Sequence, residues 1–246
     1  MNIIISPAKK MNVRNDDMLY KTMPIFMDKT LQLKNFLQTF SYNELKELLC
    51  CNDEIAELNF ERYKNINLSS NLTPAILAYD GIQYKYMGPD SFSYDEFEYI
   101  EKHLKILSGF YGVLTPFDGV TPYRLEMQAK LKMNNHKNLY EFWDNNIYEE
   151  IIKDSNVILN LASKEYSKTI EKYLKPDDKF ITCIFGTLTD SKIKVKATEA
   201  KMARGLMVRY MAHNNIEDVE KIKNFSDLYF SYSEKYSTEN EFVFLK

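Results

Sequence analysis

The sequence has few of the residues that most often build disulfides, metal sites and phosphate-binding loops. Its 246 residues include three cysteines, three histidines, seven glycines and seven prolines. Cys50 and Cys51 are adjacent and Cys183 is distant, so neither a Cys-x-x-Cys pair nor a secreted disulfide framework is present. The scattered histidines give little support to a zinc site or a His-centred triad, and neither Gly-x-Gly-x-x-Gly nor a P-loop occurs. We therefore expect reduced cysteines, no bound metal and no cofactor.

Long apolar runs are also absent. Runs such as residues 157–159 are far too short to cross a bilayer, and the N-terminus has neither a basic n-region nor a long h-region. We therefore expect a cytoplasmic protein with no signal peptide and no membrane partner. The 45% hydrophobic and 14% aromatic content is sufficient for a sizeable core, which argues against a disordered chain.

The charge is unevenly distributed along the chain. The net charge of −3 argues against a general nucleic-acid binder, yet residues 191–209 carry six cations against the single acid Glu199. Arginine is rare, with five residues against 27 lysines. Three of the five, Arg124, Arg204 and Arg209, lie in this cationic segment or in the glycine-rich stretch 106–127, which makes an incidental placement less plausible.

The hydrophobic pattern predicts strands that alternate with helices, which is typical of an α/β or α+β fold. Neither a Gly/Pro/Ser-rich linker nor an internal repeat divides residues 1–246, so we expect one domain with a mixed β-sheet flanked by helices. The predicted strands are residues 2–5, 75–79, 105–108, 156–161, 180–185, 193–197 and 241–245. Helices are predicted after N-caps at Asp28, Ser41, Ser93 and Thr198 and over residues 141–153 and 163–174.

Residues 106–127 contain three of the seven glycines and two of the seven prolines. Gly109 and Gly112 follow a predicted strand, where glycine permits a positive φ, a close approach to a ligand or simply a tight turn. In Pro122-Tyr123-Arg124-Leu125-Glu126 an extended backbone would place Arg124 and Glu126 on the same side. This pair is either a structural ion pair or an anion clamp next to a general base.

Two further turns follow predicted strands. Lys9 ends the sequence Ser6-Pro7-Ala8-Lys9 after the first strand, and it is either a ligand-binding cation or a solvated lysine. Ser163 and Glu165 begin a helix after the strand 156–161. Ser163 is either a polar site residue or only an N-cap, and Glu165 either a site carboxylate or only a complement to the helix dipole.

The cationic segment has its own pattern. Lys192, Lys194 and Lys196 alternate with apolar residues, so a strand would place them on one face. Lys201 and Arg204 share one face of the helix that follows. Basic faces on a strand and a neighbouring helix suit a phosphate backbone, although a solvated surface has the same pattern.

Taken together, several blocks resemble the YaaA family of peroxide-stress proteins. They occur in that family's order and cover nearly the whole chain. The blocks are residues 6–9 (SPAK), 107–114 (LSGFYGVL), 122–127 (PYRLEM), 160–163 (NLAS) with 165–166 (EY), 203–207 (ARGLM) and 239–244 (ENEFVF).

The resemblance implies a cytoplasmic bacterial protein that helps cells to survive hydrogen peroxide by limiting unincorporated iron and oxidative DNA damage. It also implies DNA binding through a positively charged cleft and a helix-hairpin-helix-like element, which we place at residues 107–114. DNA of low sequence specificity is therefore the expected partner, and no obligate protein partner is expected.

Two function classes stay open at this point. One is a DNA-binding protective protein without chemistry. The other is an enzyme that acts on a nucleic acid or nucleotide, for example on a base as glycosidases do. Glu126 and Glu165 are the candidate catalytic carboxylates. If Lys9, Arg124, Glu126, Glu165 and Arg204 converge on one cleft, the site hypothesis stands. The candidate DNA or phosphate contacts are Lys9, Gly109, Gly112, Arg124, Ser163, Lys192, Lys194, Lys196, Lys201 and Arg204.

Overall fold

A computed structural model describes residues 1–14 and 18–246 of the chain. Its strands, numbered in chain order, form one large sheet and two small two-stranded sheets. The strands are β1 (Asn2–Ile5), β2 (Lys10–Met11), β3 (Thr73–Pro74), β4 (Tyr79–Asp80), β5 (Leu104–Ser108), β6 (Gly112–Leu114), β7 (Gly119–Val120), β8 (Val157–Leu161), β9 (Lys179–Thr189), β10 (Lys192–Lys194), β11 (Ser231–Tyr232) and β12 (Glu241–Leu245).

Ten α-helices occur in the part of the chain that the structure describes, and several pack on the large sheet. They are α1 (Met27–Leu37), α2 (Tyr42–Leu49), α3 (Asp53–Asn65), α4 (Ala75–Ala78), α5 (Ile82–Met87), α6 (Tyr94–His103), α7 (Leu139–Trp143), α8 (Asn146–Ile152), α9 (Lys164–Glu171) and α10 (Ala197–His213). None of the described helices is both long enough and apolar enough to cross a membrane.

The large sheet is mixed, as the sequence predicts. Its strand order is β11-β12-β9-β8-β1-β5-β6, and β10 pairs with β9 beside this path. The five strands from β12 to β5 are parallel, whereas β6, β10 and β11 pair antiparallel. The central strand β1 is buried along its whole length, which explains why its residues are almost continuously apolar rather than alternating.

Local signals in the sequence account for several of these elements. The predicted strand at residues 2–5 is confirmed, and both Ser41 and Ser93 form complete capping boxes at the starts of α2 and α6. Strands β9 and β10 form an antiparallel hairpin, but the paired residues are 187–189 and 192–194 rather than 180–185 and 193–197. Residues 180–185 instead pair with β8 and β12, and β10 ends at Lys194, so Lys196 does not share its strand face.

Other sequence predictions are wrong. Residues 75–79 form mainly the short helix α4 rather than a strand, since a short, fully buried apolar run does not distinguish the two. The helix predicted over 141–153 is divided into α7 and α8 at Asp144, whose φ is 47°. The N-cap residues of α1 and α10 are Phe26 and Lys196, not Asp28 and Thr198.

The helix-hairpin-helix-like element placed at residues 107–114 is not confirmed. This block is a strand, a tight turn and a strand: β5 pairs antiparallel with β6, and Ser108 lies opposite Gly112. Gly112 has φ +77°, and a Cβ there would lie 2.8 Å from the Trp143 ring. The glycine therefore permits a buried β-turn against Trp143.

The parallel pairing positions two loops beside each other. Because β1 and β8 are parallel neighbours, their carboxyl ends meet at one edge of the sheet. The backbone N–H of Ser163, after β8, donates to Oγ of Ser6, after β1, at 2.8 Å. The two turns singled out in the sequence, one after β1 and one after β8, therefore adjoin.

Helix α10 packs closely on α5, and Gly205 makes this approach possible. A Cβ at Gly205 would lie 2.1 Å from the backbone oxygen of Gln83 and 2.9 Å from the backbone nitrogen of Met87. These are backbone atoms, so a side chain at Gly205 would force the two helices apart.

We expect Gly205→Ala to lower the stability of the protein. In an isolated helix the change would stabilise by about 1 kcal/mol, because alanine has the higher helix propensity. Here the steric conflict should dominate and cost roughly 2–3 kcal/mol net. Thermal unfolding checks this, with Thr198→Ala, at an exposed position of the same helix, as the control. A higher melting temperature for Gly205→Ala would contradict the close packing.

Candidate functional site

A cavity of about 370 Å³ lies at the carboxyl edge of the parallel strands. The loop after β1, helix α5, the segment 122–127, the start of α9 and the middle of α10 all contribute to its wall. Its lining residues are Ser6, Pro7, Ala8, Lys9, Lys10, Asp80, Gly81, Ile82, Gln83, Tyr84, Tyr123, Arg124, Leu125, Glu126, Ser163, Glu165, Tyr166, Lys201 and Arg204. Seven of the residues singled out in the sequence therefore meet here: Lys9, Arg124, Glu126, Ser163, Glu165, Lys201 and Arg204.

Arg124 and Glu126 form a largely buried ion pair. Nη2 of Arg124 lies 3.2 Å from Oε1 of Glu126, and only 12% and 13% of the two side chains are exposed. Lys9, which is mostly exposed, approaches the same oxygen at 2.6 Å. Two cations therefore share one carboxylate oxygen.

Buried tyrosines fix the backbone that carries this pair. The Tyr63 hydroxyl donates to the backbone oxygen of Arg124 at 2.7 Å. Tyr123 is buried, and its hydroxyl lies 2.8 Å from the hydroxyl of Tyr79 and 2.6 Å from Oγ of Ser108. Burial raises the pKa of Tyr123 to about 12, so it is a neutral hydrogen-bonding group. The segment is thus held rigidly although it is not a regular strand.

Glu165 lies in the first turn of α9 and faces Glu126. Its Oε1 accepts a hydrogen bond from the backbone N–H of Gln128 at 3.3 Å, and the Met127 amide also contributes. Burial raises the pKa of Glu165, and the negative charge of Glu126 raises it further, while the amides and Lys9 act in the opposite direction. The two carboxylates therefore lie in different environments, Glu126 against two cations and Glu165 against backbone amides.

Ser163 occupies the N-cap position of α9, but its side chain makes no capping hydrogen bond. Instead its Oγ accepts from Oγ of Ser6 at 3.3 Å. The serine therefore joins the two loops at the floor of the cavity and leaves the start of α9 without a side-chain cap.

Helix α10 contributes Lys201 and Arg204 to the wall. Lys201 is exposed and makes no ion pair within 4 Å in the described chain, whereas Arg204 is mostly buried beside Cys183. Burial lowers the pKa of Arg204, although a guanidinium keeps its charge in proteins. The Nε atoms of Arg204 and Arg124 are both buried and have no acceptor among the residues described.

The sequence analysis did not single out several cavity residues, among them Asp80 and Tyr84 around the start of α5. Asp80 binds both Lys10, at 2.8 Å, and Lys85, at 3.2 Å, so it neutralises part of the rim. The hydroxyl of Tyr84 donates to the backbone oxygen of Ser6 at 3.0 Å. The available signal was the Asp80-Gly81 turn after a buried run, which is the same pattern as the other two turns.

The structure does not bring Gly109 and Gly112 to the cavity. Both are buried, and the amides of Phe110 and Tyr111 in this turn donate to Oγ of Ser108 at 3.1 and 2.8 Å. The candidate phosphate contacts Gly109 and Gly112 therefore lie apart from the other cavity residues, in a turn whose amides are already bound. A Cβ at Gly109 would lie 2.4 Å from the backbone oxygen of Leu125, so Gly109 instead supports the Arg124–Glu126 segment from behind.

The remaining candidate residues lie outside the cavity. Lys192 and Lys194 are exposed on the β9–β10 hairpin, and Lys196 is exposed at the N-cap of α10, 3.3 Å from Glu199. They precede the cavity-lining part of α10 in the chain. In the described ranges no three His, Cys, Asp or Glu side chains come together as a metal-binding group.

The fold and site define an α/β protein with a charged cavity at the carboxyl edge of its parallel strands. Residues 1–236 match the family model described as peroxide stress protein YaaA. The chain is similar to UPF0246 proteins of Desulfitobacterium hafniense (56% identity, 100% of this chain and 98% of the relative) and Lachnoclostridium phytofermentans (52%, 100% and 96%). A UPF0246 protein of Ligilactobacillus salivarius is 51% identical over the full length of both chains. The chain therefore belongs to the peroxide stress protein YaaA family.

We expect Glu165→Gln to stabilise the protein increasingly as the pH rises. The folded-state pKa of Glu165 is raised above its unfolded value, so its ionisation opposes folding at pH values above the unfolded pKa. Glutamine does not ionise, so the variant lacks this destabilisation. The melting temperature of the variant should match that of wild type near pH 4 and exceed it by a few degrees near pH 8. Glu57→Gln, on the exposed face of α3, is the control and should show no such trend. A difference that is constant with pH would show that Glu165 is solvated.

Proposed function

We propose that this protein protects cells against peroxide by binding DNA with low sequence specificity. The observation that supports it best is a series of cations that leads along the chain from the exposed β10 into the cavity wall. Lys192 and Lys194 have no ion-pair partner within 4 Å among the described residues, and Lys201 follows on the next helix. Uncompensated lysines attract phosphates without reading bases.

The geometry of α10 extends this series. At 1.5 Å per residue, Lys196 and Arg204 are about 12 Å apart along the helix axis, with Lys201 between them. The opposite face of α10, with Ala203, Met207 and Met211, is buried against the protein and is not free to enter a groove. The exposed lysines of this series therefore suit a DNA strand that runs over the surface better than α10 would suit the role of a recognition helix in the major groove.

A link to iron follows from counterion release. Lysines that neutralise phosphates displace the cations condensed on DNA. Ferrous iron bound at the backbone would be among those cations, and peroxide would then react with it away from the DNA. This physical route joins DNA binding to the peroxide-stress role that the family's name indicates.

DNA binding should weaken steeply with salt, and the exposed cations should set the slope. Each phosphate contact adds about 0.9 to the slope of log affinity against log salt. We expect the triple change of Lys192, Lys194 and Lys201 to Gln to reduce the slope by about two to three. Titrating labelled duplex and single-stranded DNA from low to moderate salt checks this.

The matched control changes Lys132, Lys137 and Lys221 to Gln, three exposed lysines outside the series. It alters the net charge equally and should leave the slope close to that of wild type. Equal effects of both triples would mean that only net charge matters. No binding at low salt would contradict the proposed function itself.

Arg124→Lys should mainly reduce survival of peroxide, whereas Lys201→Ala should mainly reduce the salt dependence of DNA binding. The planar guanidinium of Arg124 can bind Glu126 and a second anion together, whereas an ammonium lacks this fork. The loss should be about 1.5–3 kcal/mol of binding free energy within the cavity. Survival of peroxide should therefore fall with Arg124→Lys while the salt slope is nearly unchanged.

With Lys201→Ala the slope should decrease by about one and survival should change less. Complementation of a deletion strain, combined with the same DNA titrations, measures both quantities. If folded Arg124→Lys protects cells as well as wild type, Arg124 is only a point charge.

A further inference from the structure

The cavity contains two carboxylates that DNA binding does not use. Glu126 forms ion pairs with both Lys9 and Arg124, and Glu165 is half-buried beside it. Negative charges at this position repel a phosphate and reduce the attraction of the surrounding cations. Binding of a DNA backbone alone therefore gives no reason for this pair.

The two carboxylates have different environments. Glu126 has two cations within hydrogen-bonding distance of Oε1. Glu165 contacts backbone amides, and burial together with Glu126 raises its pKa, while Lys9 lowers it. Two neighbouring carboxyl groups in such different environments can divide the roles of general acid and general base.

The cavity has the size and the wall of a small-molecule site. Its volume of about 370 Å³ lies in the range of pockets that enclose one ligand and excludes a duplex. Ile82, Leu125 and the rings of Tyr84 and Tyr166 provide apolar surface for a flat base. Arg204 provides a cation, and its buried Nε has no acceptor in the chain as described.

These features fit a single nucleotide. The base would lie against the apolar wall and the phosphate towards Arg204 and Lys201. A nucleotide within a DNA strand can enter such a pocket only when it leaves the base stack. Glu126 and Glu165 would then be positioned to act on the bond that joins the base to the sugar, beside the phosphate.

We infer that the cavity hydrolyses the N-glycosidic bond of one nucleotide, with Glu165 as general acid and Glu126 as general base. For a nucleotide within a strand, this inference rests on the proposed DNA binding. The C1′–N bond breaks and its electron pair passes to the base nitrogen, which takes the proton of Glu165. A water oxygen bonds to C1′, and the proton that it loses passes to Glu126. Transfer through solvent then restores the protonated Glu165, and the products are a free base and an abasic sugar.

Two sets of probes test this inference with the full-length protein. One is a series of labelled single strands that each contain a single 8-oxoguanine, thymine glycol, uracil or hypoxanthine among normal bases. The other is the four free deoxynucleoside 5′-monophosphates. Alkaline cleavage at abasic sites measures base release from the strands, and chromatography measures it from the free nucleotides.

We expect base release by wild type and a loss of about 10²–10⁴-fold in both Glu165→Gln and Glu126→Gln. Glu57→Gln, on an exposed face of α3, should act like wild type. Release should fall as the pH rises through the pKa of Glu165. Burial and Glu126 raise the pKa of Glu165, and Lys9 and the amides of Gln128 and Met127 lower it; Tyr140 and Tyr166 are the other titratable groups that face it. The dependence on pH should be absent from the residual rate of Glu165→Gln.

The two probe sets separate the possible outcomes. Release from strands only identifies a flipped-out nucleotide as the substrate, and release from monophosphates only identifies a free nucleotide; both support the acid–base site. Salt-dependent DNA binding without release from any probe would overturn the inference and leave the proposed function standing. Release that is unchanged in Glu165→Gln and Glu126→Gln would also overturn it, because the activity would then come from another source.

Discussion

The parallel pairing of β1 with β8 is the contact on which the rest of the site depends. It brings the loop after β1, with Lys9, beside the start of α9, with Glu165. β1 is buried on both faces and accepts β5 on its other side, so its register is strongly specified. A shift of this register would separate the two loops and remove the cavity. Core packing and site geometry are therefore set by the same strand.

The charges in the cavity illustrate how a fold retains groups that oppose its stability. A buried ion pair such as Arg124–Glu126 contributes little net stability, because desolvation offsets its attraction. Glu165 is unfavourable in its ionised form for the same reason. The rigid support from Tyr63 and Gly109 holds these groups in place at some thermodynamic cost. Such an arrangement is typical of sites in which charged groups act on a ligand.

Much of the framework could be predicted from the sequence because its signals are local. The continuous apolar run at β1 and the capping boxes at Ser41 and Ser93 each depend on a few neighbouring residues. The spacing of Arg124 and Glu126 indicated a pair, and the structure contains one. These features need no knowledge of distant contacts.

Other features depend on distant partners and could not be read from local pattern. Residues 75–79 are apolar and buried, so their helical form is set by tertiary packing rather than by periodicity. The sequence predicts a ligand contact at Gly109, yet a glycine is required there because the backbone of Leu125 lies against it in the fold. The cavity role of Tyr84 depends on the close approach of α5 to α10, which a glycine at position 205 permits. Only the three-dimensional arrangement makes these roles visible.

We propose that the cavity between the carboxyl ends of β1 and β8 is where this protein meets nucleic acid. The most direct test is a crystal structure of the protein with a short single-stranded oligonucleotide. We expect one base to lie inside the cavity against Tyr84 and Tyr166, with its phosphate within hydrogen-bonding distance of Arg204. An oligonucleotide bound elsewhere on the surface, with no part of it in the cavity, would contradict the account.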